Sequence, residues 1–272
     1  MQELQYSIVI PAYNEQARIA ATLAGVLACV QRNGWAAEVL VVNDGSTDKT
    51  AEIVRAIAAE NPAVRLVENR RNRGKGYSVR NGMLQARAPV VMFTDADLSS
   101  PMEEAELLFS ALDAGADVAI GSRWLERKRQ TLRQPLYRRF FGRCFNACTR
   151  LVMGLPYADT QCGFKAFRRE VVRPIFLRQR IERWGFDPEI LFIARKQGYR
   201  VREVPVTWGH DARSRISYLR DGLQMLREIA WVRWNSLTGV YRRENPRLYV
   251  EHQHLEEQPV SLTSAGAKAN LR

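Results

Sequence analysis

Four times in its first 97 residues the chain runs a short β-branched, apolar stretch into a polar cluster. Tyr6 to Ile10 leads to Tyr13-Asn14-Glu15, and Val39 to Val42 to Asn43-Asp44-Gly45-Ser46-Thr47-Asp48. Val64 to Val67 precedes Arg73-Gly74-Lys75-Gly76, and Val90 to Phe93 ends in Thr94-Asp95-Ala96-Asp97. Such short, β-rich and mostly apolar runs read as buried strands, and a fifth is expected at Val118 to Ile120. Helical patterns separate them: Ile19, Leu23, Val26, Leu27 and Val30 share one helical face, as do Leu107, Leu108, Ala111 and Leu112 after a Ser99-Ser100-Pro101 start signal. Repeated β-α-β units imply an α/β fold with a mainly parallel central sheet covered by helices. Ligands of such sheets sit beyond the carboxyl ends of the strands, so the four polar clusters are expected along one rim.

Composition excludes few folds but several partners. With 46% hydrophobic and 26% charged residues, most of the 272-residue chain has the means to fold. Its four cysteines make no disulfide framework and no Cys-x-x-Cys pair, which fits a reducing compartment. The opening MQELQYSIVIPAYNE meets a proline and charges too early for a signal-peptide core, and no run of 18 apolar residues occurs. The expected location is therefore cytoplasmic, with no membrane-spanning helix.

Charge divides the chain unevenly. Residues 1 to 120 carry 11 Lys/Arg against 15 Asp/Glu, whereas residues 121 to 272 carry 30 against 14. The second half is thus suited to an anionic partner: lipid headgroups, phosphates or nucleic acid. Two basic amphipathic helices are expected there. One begins near Gln134 with a stripe of Tyr137, Phe140, Phe141, Cys144, Phe145, Cys148, Leu151 and Val152. The other begins near Ser214 with Leu219, Leu223, Leu226, Ala230, Trp234 and Leu237. Each stripe suits either packing on the sheet or insertion into a membrane interface, and Trp231 and Trp234 with the arginines favour the interface. From residue 243 the chain reads as a flexible tail.

The sharpest local chemistry is Asp95-Ala96-Asp97 at a strand end. Two carboxylates so close repel unless a cation shares them, and a hard ion such as Mg²⁺ or Mn²⁺ takes one or two carboxylates, waters and diphosphate oxygens. A solvated turn is the plain alternative. Asp44 suits either a nucleoside contact or a turn before a helix capped by Ser46 or Asp48. Gly74-Lys75-Gly76 puts a cation near a helix start, as an anion seat would. Neither the Walker pattern nor Gly-x-Gly-x-x-Gly occurs, which disfavours a P-loop ATPase or a dinucleotide dehydrogenase.

Six stretches in order, YSIVIPAYNE, VVNDGSTDKT, NRGKG, TDAD, Gly121-Ser122-Arg123 and DTQCGFKAF, resemble glycosyltransferase family 2. Within it the likeness is to polyprenyl-phosphate hexosyltransferases, nearest the dolichyl-phosphate β-glucosyltransferases. The resemblance implies a GT-A fold over residues 1 to 240, with residues 1 to 120 holding the nucleotide sugar and 121 to 240 facing acceptor and membrane. It implies a UDP-sugar donor, UDP-glucose foremost, a polyprenyl phosphate acceptor (dolichyl or undecaprenyl), Mg²⁺ or Mn²⁺, and inversion at the anomeric carbon.

By motif position Pro11, Tyr13, Glu15 and Asp44 would hold uridine, Lys75, Asp95, Ala96 and Gln161 the rest of the donor, and Asp95 and Asp97 the metal. Gly163-Phe164-Lys165 and Trp184 to Glu189 would build the sugar and acceptor side. The acceptor phosphate falls to Arg123, Arg139, Arg213, Ser214 and Arg215. Asp97, Asp159 and Asp187 are the candidate catalytic residues, the last two as general base only where the acceptor is a hydroxyl. The Gln-x-x-Arg-Trp signature of processive synthases is absent, so one sugar per event is expected. Competing readings are a family-2 enzyme with a soluble hydroxyl acceptor or a GDP-mannose donor, and a nucleic-acid-binding protein; strand-end carboxylates oppose the latter by repelling a phosphate backbone.

Overall fold

The computed structural model describes residues 3–126, 136–209 and 218–242. Arg213, Ser214, Arg215, the tail at 243–272 and the side chain of Arg139 lie outside the described residues.

The predicted β-α-β rhythm is present. Strands β1 (Tyr6–Ala12), β2 (Ala37–Asn43), β3 (Val64–Glu68), β4 (Val90–Phe93) and β5 (Val118–Ser122) alternate with helices α1 (Ile19–Arg32), α2 (Thr50–Glu60), α3 (Lys75–Gln85) and α4 (Ala105–Asp113). Pro101 precedes a 3₁₀ turn, Met102–Glu104, that feeds α4, so the start signal opens a tighter turn before the helix proper. Then come α5 (Leu136–Met153), β6 (Lys165–Arg168), α6 (Arg169–Phe176), α7 (Phe186–Lys196), β7 (Val201–Pro205) and α8 (Tyr218–Leu237). One seven-stranded sheet runs β3-β2-β1-β4-β6-β5-β7. All its pairs are parallel except those of β6, which lies antiparallel between β4 and β5. The two halves of the chain therefore share one sheet.

Apolar layers cover both faces. Val9, Leu40, Val42, Phe93 and Phe167 pack under α3, α6 and α7 on one side, and Ile8, Ile10, Val41, Met92 and Ala119 under α1 and α4 on the other. The strand order reverses direction at β1 and β4, opening a crevice at their carboxyl ends. Tyr13 to Glu15 and Asp95 to Asp97 lie at that crevice.

Of the two readings left open for the amphipathic helices, the described side chains of α8 fit an outward stripe, whereas α5 divides, with Phe145 packed against the core and Cys148 and Leu151 exposed. In α5 the inward residues are Asn146, Thr149 and Met153, whereas Leu151 is 85% exposed and Cys148 is exposed. In α8 the inward residues are Ile229, Val232 and Asn235, and the described part of the expected stripe faces solvent: Leu226, Trp234 and Leu237, with Trp231 beside them, are all exposed. The polar inner face of α5 has a structural cause. Asn146 accepts hydrogen bonds from Thr160 Oγ1 (2.9 Å) and Thr160 N–H (3.3 Å) and donates to the Ala158 carbonyl (2.5 Å), satisfying a buried turn that no leucine would satisfy. No helix among the described residues is long and apolar enough to cross a membrane.

Candidate active site

The rim is assembled by loop-to-loop hydrogen bonds. After β1, Asn14 adopts φ 55°, its N–H donates to Ser46 Oγ (2.9 Å), and its Oδ1 accepts from Thr47 N–H (2.8 Å). Glu15 N–H donates to Thr50 Oγ1 (2.7 Å), and its carboxylate pairs with Arg18. Asp48, rather than Ser46, serves the first turn of α2 by accepting from Thr50 N–H (2.9 Å). Pro11 is half-buried at the end of β1 and Tyr13 is exposed beyond it.

Asp44 turns inward. Its carboxylate accepts from Asn69 Nδ2 (2.8 Å), Arg73 N–H (3.1 Å) and Gly74 N–H (2.7 Å), and only 3% of the residue is exposed. It thereby moulds the segment that delivers Lys75. Gly74, at φ 112°, lies so close to the Glu182 carbonyl that a Cβ would stand 2.6 Å from it; only glycine fits this turn into α3.

Lys75 is the first residue of α3, and its Nζ sits 2.5 Å from Asp95 Oδ1. Burial works to lower the Lys75 ammonium, but Asp95, Asp187 and Asp97 outweigh it and raise it above the ordinary lysine value. The rings of Trp184 and Phe186 lie 5.6 and 5.9 Å from Nζ. Asp95 is bracketed from the other side by Gly163, whose missing Cβ would fall 2.3 Å from Oδ2. Asp97, half-buried, accepts from Ser99 N–H (2.9 Å). Ala96 is buried, and its carbonyl accepts from Thr22 Oγ1 (2.5 Å), which fixes the Asp95-Ala96-Asp97 turn to α1.

Two buried ion pairs form the floor and far wall. Arg123 donates to Asp159 through Nε (2.6 Å) and Nη2 (2.8 Å), and Asp159 also accepts from the N–H groups of Arg123 and Gln161 (both 3.1 Å). Burial pushes the Asp159 carboxyl up, yet Arg123 and these N–H groups hold it below the usual carboxylate value. Glu203 of β7 accepts from Ala158 and Asp159 N–H, and Asn146 grips the same turn. Lys165, fully buried, donates to Asp187 Oδ1 and to the Cys162 carbonyl, each at 2.5 Å. Burial raises the Asp187 carboxyl against the pull of Lys165 and Lys75. The Cys162 thiol is pushed up to about 12, chiefly by burial, and stays protonated.

A small cleft opens among Thr94, Asp95, Ser99, Gly163, Phe164 and Trp208. Trp208 was not evident from sequence. It follows β7, its ring lies 5.6 Å from the Arg123 guanidinium, and the next residue, Gly209, is tied to the Ser99 carbonyl (2.7 Å). An aromatic residue just past a strand end was the available signal. Asn146 was missed because it stands outside the apolar stripe, and its partners, Ala158 and Thr160, lie 12 and 14 residues on.

The structure thus gathers Lys75, Asp95, Asp97, Asp187, Arg123, Asp159 and Gln161 about one crevice, with Pro11, Tyr13 and Glu15 on the β1 rim. No cluster of three His, Cys, Asp or Glu side chains stands ready as a complete metal cage among the described residues. The Asp95–Asp97 pair, two carboxylates on one turn, fits a divalent ion that draws its other oxygens from water and diphosphate.

Comparison with known proteins agrees with this architecture. Residues 7–176 match the family model described as glycosyl transferase family 2. A dolichyl-phosphate beta-glucosyltransferase of Trichomonas vaginalis is 38% identical over 79% of this chain and 67% of its own length. One of Dictyostelium discoideum is 31% identical over 89% and 78%. Glucosyl-3-phosphoglycerate synthase from Mycobacterium tuberculosis, solved with UDP, superposes with a TM-score of 0.61 over 89% of this chain and 82% of that one. Its identity is 20%, so it speaks for the GT-A fold alone. A match that starts in β1 and ends with the last residue of α6 takes in every rim loop from Tyr13 to Gly163, and on it the chain belongs to glycosyl transferase family 2, as a glycosyltransferase.

Proposed function

We propose that the protein transfers one glucosyl group from UDP-glucose to a polyprenyl phosphate, dolichyl or undecaprenyl, with inversion and with Mg²⁺ or Mn²⁺. The names of its relatives support the glucosyl group and the lipid phosphate. The observation that carries the choice of acceptor is the state of the two candidate bases. Asp159 has its oxygens committed to Arg123 and two backbone N–H groups, and Asp187 is buried against Lys165. A sugar hydroxyl needs a base to become a nucleophile, whereas a phosphate oxygen is already anionic at neutral pH. An arrangement that spends its carboxylates on holding cations supports the second.

In this reading Pro11, Tyr13 and Glu15 line the uridine, while Asp44 acts through the 69–74 segment that it shapes. Lys75 sits beside Asp95 to meet the donor diphosphate, and Gln161 closes the donor side. Asp95 and Asp97 would hold the divalent ion, which when bound offsets the charge growing on the departing UDP. Arg123, fixed in direction by Asp159, would meet the acceptor phosphate, and Arg139, Arg213, Ser214 and Arg215 are proposed as its partners there on their sequence positions alone. The test is a donor panel with polyprenyl phosphate and either metal, for the native chain and Asp97→Ala. We expect Asp97→Ala to lose at least about 100-fold in turnover while melting like the native protein. Undiminished turnover would remove the metal role.

The lipid acceptor calls for a membrane surface, and the outward face of α8 supplies one. Leu226, Trp231, Trp234 and Leu237 are exposed on it, and Arg227 and Arg233 lie beside them. This supports peripheral docking on the cytoplasmic leaflet through apolar insertion and attraction to anionic lipid. Cosedimentation with anionic vesicles at low salt is expected, with Trp231→Ala and Trp234→Ala each weakening it about tenfold. Binding that ignores both tryptophans would assign the contact elsewhere.

A further inference from the structure

Helix α8 is joined to the donor side of the crevice by its inner face. Glu228 Oε2 accepts from the N–H of Gly185 (2.8 Å), the residue before α7, and Gln224 Nε2 holds the other oxygen (2.9 Å). Just past α8, in the 3₁₀ turn Val240–Arg242, the fully buried Tyr241 donates its hydroxyl to Glu189 of α7 (2.7 Å). Glu189 accepts in addition from the N–H groups of Arg180 and Ile181, both at 2.9 Å. Two acidic side chains thus clamp the two ends of the segment 180–185.

That segment is the mould on which the first turn of α3 is cast. The Glu182 carbonyl accepts from Tyr77 N–H (3.0 Å), and Gln179 bridges the carbonyls of Gly76 (2.9 Å) and Ile181 (2.7 Å). Gly76 has no room for a side chain: a Cβ would lie 2.7 Å from that of Phe186 and 2.9 Å from the Ile181 carbonyl. Between Gly74 and Gly76 stands Lys75, with Trp184 and Phe186 of the same wall beside its ammonium. A shift of segment 180–185 therefore has no slack in which to dissipate before it reaches Lys75. Neither Glu189, Glu228 nor Tyr241 touches the crevice itself.

We propose that Glu228 and the Tyr241–Glu189 pair are positioning residues that carry the placement of helix α8 to Lys75, and through it to the donor diphosphate. The last step rests on the donor reading given above; the linkage from α8 to the first turn of α3 does not. The helix that offers its outer face to lipid would then also set the order of the nucleotide seat.

The test compares Glu228→Ala, Glu228→Gln and Tyr241→Phe in the full chain. Amide exchange at Tyr77 and Gly185, followed without any ligand, reports the linkage alone. We expect Glu228→Ala and Tyr241→Phe to speed exchange at Tyr77 about tenfold and to raise KM for UDP-glucose about fivefold with kcat within about twofold. Glu228→Gln, which keeps an acceptor oxygen for Gly185, is expected to behave like the native protein. Lower melting temperatures with Tyr77 exchange unchanged would overturn the proposal and leave these residues a purely structural role. A native chain that binds no UDP would instead sink the donor reading, while the exchange comparison would still decide the linkage.

Discussion

Lys165→Met is expected to lower stability by about 3 to 5 kcal/mol, because it strips a buried carboxylate of its cation. Lys165 is fully buried, and its ammonium meets Asp187, the Cys162 carbonyl and, 5.5 Å away, the ring of Phe93. Asp187 is left to take up a proton or open the wall between β6 and α7. In a domain of this size the change corresponds to a fall in Tm of about 10 °C, readable by calorimetry. Lys165→Met combined with Asp187→Leu is expected to recover much of that loss, since replacing both members of a buried pair by apolar groups removes two desolvated charges together. A single variant melting within about 2 °C of the native chain would show that the pair is not shielded from water.

The second large effect concerns activity. Gly163→Ala introduces a methyl group where Asp95 already stands: 2.3 Å from Oδ2 and 2.7 Å from Cγ and Oδ1. All three of the nearest atoms belong to the Asp95 carboxylate, so that group has to move to clear the methyl, and with its Oδ1 held by Lys75 we expect it to swing off Lys75 toward solvent. We expect transferase turnover to fall by about 100-fold or more, a loss suited to misplacing an electrostatic group by an ångström. Gly163 lies just before β6, so thermal stability should fall by only about 1 to 3 kcal/mol. Turnover within threefold of native would mean that the contact between Asp95 and Lys75 is dispensable.

Strands β1 to β5 were legible because each centres on a short, mostly apolar run rich in valine and isoleucine that leads into a polar loop. The rim loops were legible for the complementary reason, since polar residues after such runs have no core to enter. β6 was hidden by its own chemistry. The stretch KAFR starts with a lysine that is buried only because Asp187, 22 residues on, neutralises it. β7, VREVP, is half-covered and alternates, so it lacks the signature of a central strand. The orientation of α5 and α8 was left open for the same reason. An apolar stripe shows that a helix has two sides without showing which one meets the protein, and Asn146 faces inward for the sake of a turn 12 to 14 residues away. Arg123 and Asp159 likewise read as separate candidates, an acceptor cation and a base, and only the fold shows the 2.6 Å contact by which the carboxylate fixes the guanidinium. Sequence displays the donors and acceptors, whereas their long-range pairing decides which are spent within the protein.

The place of β6 between β4 and β5 bears on how the molecule is made. As the chain leaves the ribosome, β1 to β4 have all their mutual partners once residue 93 has emerged, and they can pair in the order β3-β2-β1-β4. The outer edge of β4 has no native neighbour until residues 165–168 arrive, and β5, although earlier in sequence, has nothing to join before then. An open strand edge is a template for stray pairing between molecules. Nascent copies stalled between residues 93 and 165 are thus the vulnerable ones, and slow translation across that interval would favour aggregation over maturation.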